Sequence, residues 1–284
     1  MSRIRLTRAE ATGNVFLVAV DLEGTQPLAA STVVDLCDRR RGPGADGVIR
    51  VLAGTGGADL TMELTNADGG RAELSGNGLR CLAAVAIREG LAPGLRFTVA
   101  TGAGPRVVEW AETPGRSYAR THMGEATFDP SEIPLTVDSA LDLKVEAGGT
   151  VYDGDAVSMG NPHLVLYVDD PLAAAVEAHG PLLEHDARFP HRANVEFVTV
   201  ASPRLLRMRV WERGVGETRS CGTGACAAAA SARRRGLVED SVEVEVLGGT
   251  LRVDLQDGIW LGGPVVIVGD LDVEVPDHSA VGDG

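Results

Sequence analysis

The chain has 284 residues, 44% of them hydrophobic, which is enough for one large domain or two of ordinary size with substantial cores. Its 26 basic and 40 acidic side chains give a net charge of −14, which argues against nucleic acid as a partner because nucleic acid is held by neutralising its phosphates.

The apolar runs and the cysteines indicate the cellular compartment of the protein. No apolar run approaches the roughly 20 residues of a membrane helix, and the opening residues lack a signal-peptide cleavage pattern. The four cysteines, Cys37, Cys81, Cys221 and Cys226, fit a reducing compartment. We therefore expect a cytoplasmic protein with no membrane partner.

In chain order, the hydrophobic periodicity predicts alternating strands separated by glycine-containing turns, with few helices. Helices are predicted at 32–40, 77–90, 172–185 and 223–235. The clearest strands are predicted at 97–101, 163–168, 194–201, 206–212, 242–249 and 251–255.

An internal repeat appears when Ser75 is aligned with Cys221, an offset of 146 residues. The alignment pairs Gly76 with Gly222 and continues without a gap until Val107 meets Val253. Chance matching of alanine and glycine is the alternative, but it does not explain a register that runs through a helix and a hairpin. Two lobes of similar fold are therefore expected.

Both copies place glycines where a loop enters a helix, and a helix N-terminus favours a carboxylate or phosphate. Two such N-termini could hold one substrate carboxylate from both sides. Cys221 begins its helix, where a thiol pKa is expected to be lowered. A proton removed from one face of an α-carbon and returned to the other inverts the stereocentre.

Six ordered blocks carry a resemblance to a known family: GNVF (13–16), GADG (44–47), NADGGRAELSGNGLRC (66–81), GNPH (160–163), RANVEF (192–197) and WERGVGETRSCGTGAC (211–226). Together they resemble diaminopimelate epimerase, and the resemblance runs nearly end to end. It implies an α/β (α+β) fold of two pseudo-symmetric lobes, each a curled β-sheet or barrel around a central helix. The implied N-terminal lobe is 1–120, completed by about 268–284; the C-terminal lobe is 121–267, with the active site in the cleft between them.

The implied activity is the cofactor-independent interconversion of L,L- and meso-diaminopimelate, a step in lysine and peptidoglycan precursor synthesis. Cys221 would be one catalytic acid/base, and Ser75 stands where the family has its other cysteine. His163 and Glu212 match positions that support the reacting centre. The residues matching substrate-binding positions are Asn14, Asn66, Gly76, Asn77, Asn161, Asn194, Glu212, Arg213, Gly222 and Thr223.

Simpler interpretations exist for several of these residues. Asn14 and Asn66 could be turn formers, since each adjoins a glycine-containing turn. His163 could be satisfied by backbone groups, and Glu212 with Arg213 could be a surface ion pair of little energetic consequence. Cys37 and Cys81 are expected in the core, and Cys226 is given no role.

The sequence departs from the family pattern at Glu10, Ala11 and Val15, and more seriously at Ser75. A serine hydroxyl is far less acidic than a thiol and returns a proton less readily. Ser75 could be an engineered substitution, a natural variant with a relay through water or His163, or a sign of altered one-base chemistry such as dehydration. A racemase of another amino acid and a non-catalytic carboxylate-binding protein are the remaining alternatives.

No cofactor or metal is expected, because the glycine loops do not form a P-loop and no cysteine or histidine cluster has zinc spacing. The expected partner is a small amino-acid substrate resembling diaminopimelate, and a homodimer is possible.

Overall fold

The computed structural model of the protein describes residues 2–113 and 116–276. In chain order its elements are β1 (Ser2–Ala11), β2 (Asn14–Val20), α1 (Ala30–Cys37), β3 (Gly47–Ala53), β4 (Leu60–Asn66), β5 (Arg71–Ala72), α2 (Gly76–Arg88), β6 (Arg96–Ala100), β7 (Arg106–Thr113), β8 (Arg116–Gly124), β9 (Leu143–Ala147), β10 (Thr150–Ser158), β11 (Pro162–Tyr167), α3 (Val176–Glu184), β12 (Asn194–Ser202), β13 (Leu205–Glu212), β14 (Gly216–Thr218), α4 (Gly222–Arg234), β15 (Ser241–Val246), β16 (Gly249–Asp254) and β17 (Ile259–Val275).

The described residues form two compact units. Unit 1 falls within Met1–Thr121 and Gly263–Gly284, and unit 2 within His122–Gly262. Of the segment predicted to complete the N-terminal lobe, residues 277–284 lie outside the described residues. None of the helices in the described ranges is long and apolar enough to cross a membrane.

Unit 1 is a sheet wrapped around α2. Its β1 pairs antiparallel with β2 and with the later part of β17, β2 pairs parallel with β3, and β3 pairs antiparallel with β4. The sheet continues with β4 parallel to β6 and with antiparallel β6–β7 and β7–β8 pairs. Because α2 packs against β1, β2, β3, β4 and β7, the sheet must curl around it.

Unit 2 repeats the same succession of pairings. Antiparallel β9–β10 and β10–β11 pairs lead to a parallel β11–β12 pair and an antiparallel β12–β13 pair. Then β13 runs parallel to β15, followed by antiparallel pairing of β15 with β16 and of β16 with the start of β17. Helix α4 packs against six of these strands. The predicted α/β fold class, with a curled sheet around a central helix in each copy, is confirmed.

The two central helices are buried, and most of their residues are small or apolar, with Asn77 and Arg80 of α2 as polar exceptions. In α2 every residue from Gly76 to Ala86 is buried, and in α4 every residue from Gly224 to Ala232. Both helices end in a glycine with positive φ, Gly90 at 68° and Gly236 at 71°, the usual C-terminal stop. In each copy the N–H of the following leucine then donates to the backbone oxygen five residues earlier, Leu91 to Ala86 and Leu237 to Ala232.

The sequence placed the central helices within two residues, whereas three other predicted boundaries were wrong. The helix predicted at 32–40 ends at Cys37, because the side chain of Asp38 accepts the backbone N–H groups of Arg40 and Arg41 and holds a turn there. The helix predicted at 172–185 begins only at Val176, because the side chain of Asp170 accepts the backbone N–H of Leu172 and holds a turn there. The strand predicted at 242–249 ends at Val246, since Gly249, with φ 136°, turns the chain into β16.

Candidate active site

The side chain of Ser75 caps the N-terminus of α2 in unit 1. Its backbone is extended, with φ −143°, and its Oγ accepts the N–H of Gly78 at 3.0 Å. Serine is among the preferred residues at this position because its oxygen satisfies a backbone donor of the first turn. The N–H of Gly76, at the first helical position, has no acceptor inside the helix and can serve an anion.

Cys221 occupies the same position at the start of α4 in unit 2. Its φ is −121°, and its Sγ accepts the N–H of Gly224 at 3.4 Å and lies 3.5 Å from Thr223 Oγ1. The side chain therefore satisfies the third helical N–H, and Gly222 and Thr223 supply the N–H groups that have no acceptor inside the helix. Sequence and geometry repeat together, with serine in one copy and cysteine in the other.

The protonation state of Cys221 differs from the sequence expectation. Burial raises the pKa of the Cys221 thiol well above its usual value, and the carboxylates of Glu212 and Glu196 act in the same direction. Hydrogen bonds from Thr223 and from the N–H of Gly224 oppose this effect but do not outweigh it. The expected lowering at a helix N-terminus was wrong because desolvation and two acidic neighbours exceed the helix dipole.

Glu212, the last residue of β13, lies against this thiol. Its carboxylate accepts hydrogen bonds from Thr218 Oγ1 and from Cys221. Burial raises the pKa of Glu212, so its carboxylate has an increased affinity for a proton. The surface-pair interpretation was wrong, because the guanidinium of Arg213 instead donates to the backbone oxygen of His191 at 3.1 Å.

His163 lies in β11 and is completely buried. Its Nδ1 is 2.7 Å from Glu196 Oε1, and its Nε2 is 3.0 Å from Asn161 Oδ1. The interpretation of a histidine satisfied by backbone was therefore wrong, since side chains contact both ring nitrogens. Glu196 is also completely buried, and the sequence did not predict it as a site residue. The available signal was one carboxylate within the apolar run of β12.

Asn194 and Arg213 lie together at the neighbouring strand ends. The amide of Asn194 donates to the backbone oxygen of Pro162 at 3.2 Å and accepts the N–H of Arg213 at 2.9 Å. Asn194 is buried, whereas Arg213 is exposed. The amide thus fixes the backbone that presents the guanidinium.

In unit 1 a directed hydrogen-bond chain orients Asn77 and Asn14. The guanidinium of Arg80, which is completely buried, donates to Asn77 Oδ1 at 2.7 Å and to Thr12 Oγ1 at 2.8 Å. Asn77 Nδ2 donates to Asn14 Oδ1, and Asn14 Nδ2 donates to Asp46 Oδ2 at 3.4 Å. Because arginine only donates and aspartate only accepts, the orientation of both amides is determined. Neither Arg80 nor Asp46 was predicted from the sequence as a site residue.

Asn66 is exposed at the end of β4. Its backbone closes the turn to β5, with its N–H on Gly70 O at 2.8 Å and its own oxygen accepting the N–H of Gly69 at 2.9 Å. The backbone therefore serves the turn, and the side chain is accessible to a ligand.

The remaining cysteines are buried as expected. Burial raises the pKa of Cys37 to about 11 and that of Cys81 to about 12, so both are inert thiols. Cys226 is also buried, inside α4. Across the described part of the chain, no group of three or more histidine, cysteine, aspartate or glutamate residues could hold a metal ion.

Unit 2 thus places His163 between Glu196 and Asn161 and Glu212 against Cys221, while unit 1 groups Ser75 and Gly76 with the two oriented asparagines. The family model described as diaminopimelate epimerase matches residues 7–128 and 155–267. A protein named diaminopimelate epimerase from Synechococcus elongatus is 39% identical over 272 residues, covering 93% of this chain and 96% of the relative. Another with that name, from Xanthomonas axonopodis pv. citri, is 40% identical over 274 residues, covering 94% and 95%.

Solved structures share the fold at lower identity. A hydroxyproline epimerase from Agrobacterium vitis superposes with a TM-score of 0.70 at 19% identity, covering 97% of this chain and 94% of that one. A phenazine biosynthesis protein of the PhzF family from Bacillus anthracis gives 0.68 at 18% identity, covering 97% and 100%. These two proteins are similar to this chain in fold.

Proposed function

Because the chain belongs to the diaminopimelate epimerase family, we propose that it interconverts L,L- and meso-diaminopimelate by moving one proton at the α-carbon. The observation that carries the proposal is the duplicated helix N-terminus. Each copy presents backbone N–H groups suited to a carboxylate, and each is capped by a side chain that can bear a proton, Ser75 or Cys221. The mechanism requires that both side chains reach opposite faces of the same α-carbon.

Cys221 and Glu212 form one acid/base group in this proposal. The thiol passes its proton to the Glu212 carboxylate that already accepts its hydrogen bond, and the resulting thiolate removes the α-proton. The C–H bond breaks, and its electron pair stays on the α-carbon, delocalised into the substrate carboxylate. The N–H groups of Gly222 and Thr223 stabilise the charge that develops there.

Ser75 and Gly76 form the opposite group. The Ser75 hydroxyl donates a proton to the carbanion from the second face, and a proton relay replaces it. An unassisted alkoxide is too basic to persist at neutral pH, so the relay is required and the return step is the slow one. Substrate and reaction are those of the family, while the rate depends on this step.

The substrate-binding residues are proposed on matching positions and on their contacts. The proposed roles of Asn14 and Asn77 are supported by the orientation of their side-chain amides, which their hydrogen-bond partners determine. Arg213 is supported by its exposure, since a planar guanidinium suits the bidentate binding of a distal carboxylate. The other proposed substrate contacts are Asn66, Asn161 and Asn194.

The proposal also includes catalysis without a cofactor, lobes spanning 1–120 with 268–284 and 121–267, a cytoplasmic location and a homodimer. These features follow from the resemblance and the composition. Unchanged activity after exhaustive dialysis against a chelator and a sedimentation mass of twice the chain test the first and the last of them.

The direct test is proton exchange at the α-carbon. Each diastereomer is incubated with the protein in deuterated water, and the α-proton signal and the diastereomer ratio are followed by NMR. We expect deuterium to enter as the second diastereomer appears, and we expect Cys221→Ala to abolish both changes. Absence of exchange in the wild type and in Ser75→Cys would exclude the epimerase, and a keto-acid product would indicate elimination instead.

A further inference from the structure

The pair of His163 and Glu196 occupies a place where the other copy of the fold is apolar. His163 faces Asn194 at the start of the parallel β11–β12 ladder, as Phe16 faces Gly47 at the start of the parallel β2–β3 ladder. Glu196 lies two residues beyond Asn194, and Ile49 lies two residues beyond Gly47. Phe16 and Ile49 are therefore the counterparts of His163 and Glu196.

The glycines of the central helices support the same equivalence. A Cβ placed on Gly78 would lie 3.3 Å from Ile49 Cδ1, and one placed on Gly224 would lie 2.6 Å from Glu196 Oε1. Ile49 and Glu196 thus occupy the same place under the first turn of their helix. Phe16 and Ile49 belong to the hydrophobic core of unit 1, so the fold itself requires no polar pair there.

Burying a carboxylate in this place is costly. Glu196 is completely buried, and within the described residues its Oε2 is a buried atom without a hydrogen-bond partner. A buried ionic pair often stabilises a protein less than apolar residues of similar volume. A gain in stability therefore does not explain why a carboxylate is buried at position 196. The contact of Glu196 with His163 does explain it.

That contact decides which ring nitrogen is available for proton transfer. The carboxylate of Glu196 only accepts, so the Nδ1 of His163, at 2.7 Å, must carry a proton. The ring is thereby held with Nε2 at 3.0 Å from Asn161 Oδ1, an amide oxygen that can accept a proton carried by Nε2. Glu212 and Cys221 are the other titratable groups influenced by the charges of this pair.

We propose that Glu196 is a positioning residue that keeps a proton on Nδ1 of His163 and so makes Nε2 the nitrogen that gives and takes a proton. The use of that proton rests on the proposed function. The orientation of the ring is independent of it.

The test exchanges the pair for its apolar counterparts. Glu196→Ile, His163→Phe and the double variant install the residues that unit 1 carries, and Glu196→Gln keeps a hydrogen-bond acceptor without the charge. We expect the double variant to unfold in urea at a midpoint no lower than that of the wild type. We expect kcat of Glu196→Ile to fall on the order of 10²-fold, with little change in KM, and Glu196→Gln to retain more of its kcat.

The orientation has a spectroscopic readout that does not need activity. In 15N-labelled protein, the ring signals absent from His163→Phe identify this residue among the six histidines. We expect the wild type to show a protonated Nδ1 and Glu196→Ile to lose it. Identical ring spectra in the two proteins, or an unchanged kcat in Glu196→Ile, would overturn the inference. Absence of α-proton exchange in the wild type and in Ser75→Cys would instead refute the proposed function and leave the ring spectra as the test.

Discussion

Replacing Ser75 by cysteine should increase the rate and decrease the stability at once. The substitution restores the second thiol of the family pattern, and the repeat shows how it would fit. Ser75 Oγ accepts the N–H of Gly78 at 3.0 Å, and Cys221 Sγ accepts the N–H of Gly224 at 3.4 Å in the same helical position. A cysteine at 75 can therefore make the longer, weaker version of the same capping bond.

The two effects have different magnitudes. Removing a serine cap lowers the free energy of unfolding by about 1 kcal/mol. Because a cysteine sulfur still accepts a weaker capping bond, we expect Ser75→Cys to lower it by roughly 0.5–1 kcal/mol. For a chain of this length that lowers Tm by about 1–4 °C. A well-matched acid/base group contributes about 10²–10⁴ in rate, so kcat should rise by about 10²-fold or more if the Ser75 step is the slow one.

The assay follows the circular dichroism of the Ser75→Cys variant during thermal unfolding and its deuterium exchange under saturating substrate. Cys221→Ser is the matched control, since it makes the reverse change at the equivalent position and should lose at least about 10²-fold in kcat. An unchanged or lower kcat in Ser75→Cys would refute the argument that the serine step limits the reaction. A rise in Tm would refute the capping role of Ser75.

Gly224→Ala should lower the free energy of unfolding in urea by about 1–3 kcal/mol relative to Gly78→Ala. The reason is that a Cβ at 224 would lie 2.6 Å from Glu196 Oε1, whereas the atom nearest to a Cβ at 78 lies at 3.1 Å. Equal stability of the two variants would contradict the close packing at Gly224. Glu212→Gln should be inactive yet more stable than the wild type at pH 8 by about 1 kcal/mol. Because folding raises the pKa of Glu212, the wild type loses stability as pH rises from the pKa of the unfolded state through that of the folded state. A difference in unfolding free energy between Glu212→Gln and the wild type that stays constant with pH would contradict this linkage. Asp270→Asn should cost about 1 kcal/mol at pH 7, because two arginines and a threonine lower the Asp270 pKa to about 2. The difference from the wild type should disappear as pH falls from about 4 towards 2, as measured by urea unfolding, and its persistence at pH 2 would count against the ion-pair network.

Much of the fold could be predicted from the sequence because the two units are an internal sequence repeat. Comparing one copy with the other located the helix beginnings at Ser75 and Cys221, and small apolar residues indicated that both helices are central. Boundaries were missed where a single side chain decides the turn, as Asp170 does before α3. Such contacts compete with helical periodicity and leave no periodic signal of their own.

The candidate site was predicted less completely. His163 and Glu212 could be named from the resemblance, but Glu196 and Arg80 could not. Glu196 acts on His163, 33 residues away, and Arg80 reaches Asn14 only through Asn77. Arg80 orients Asn77, which in turn orients Asn14, 63 residues away. A motif records the residues that lie close together in the chain, whereas this hydrogen-bond chain exists only after β1, β2 and α2 have packed.

The order of residues alone determined the duplication, the place of each helix beginning and the exchange of sulfur for oxygen between the copies. Tertiary structure decided the charge state: burial and two carboxylates raise the pKa of Cys221, although its place at a helix N-terminus predicts the opposite. The physical reason is that helix position is a local property, while desolvation depends on every element that covers the thiol.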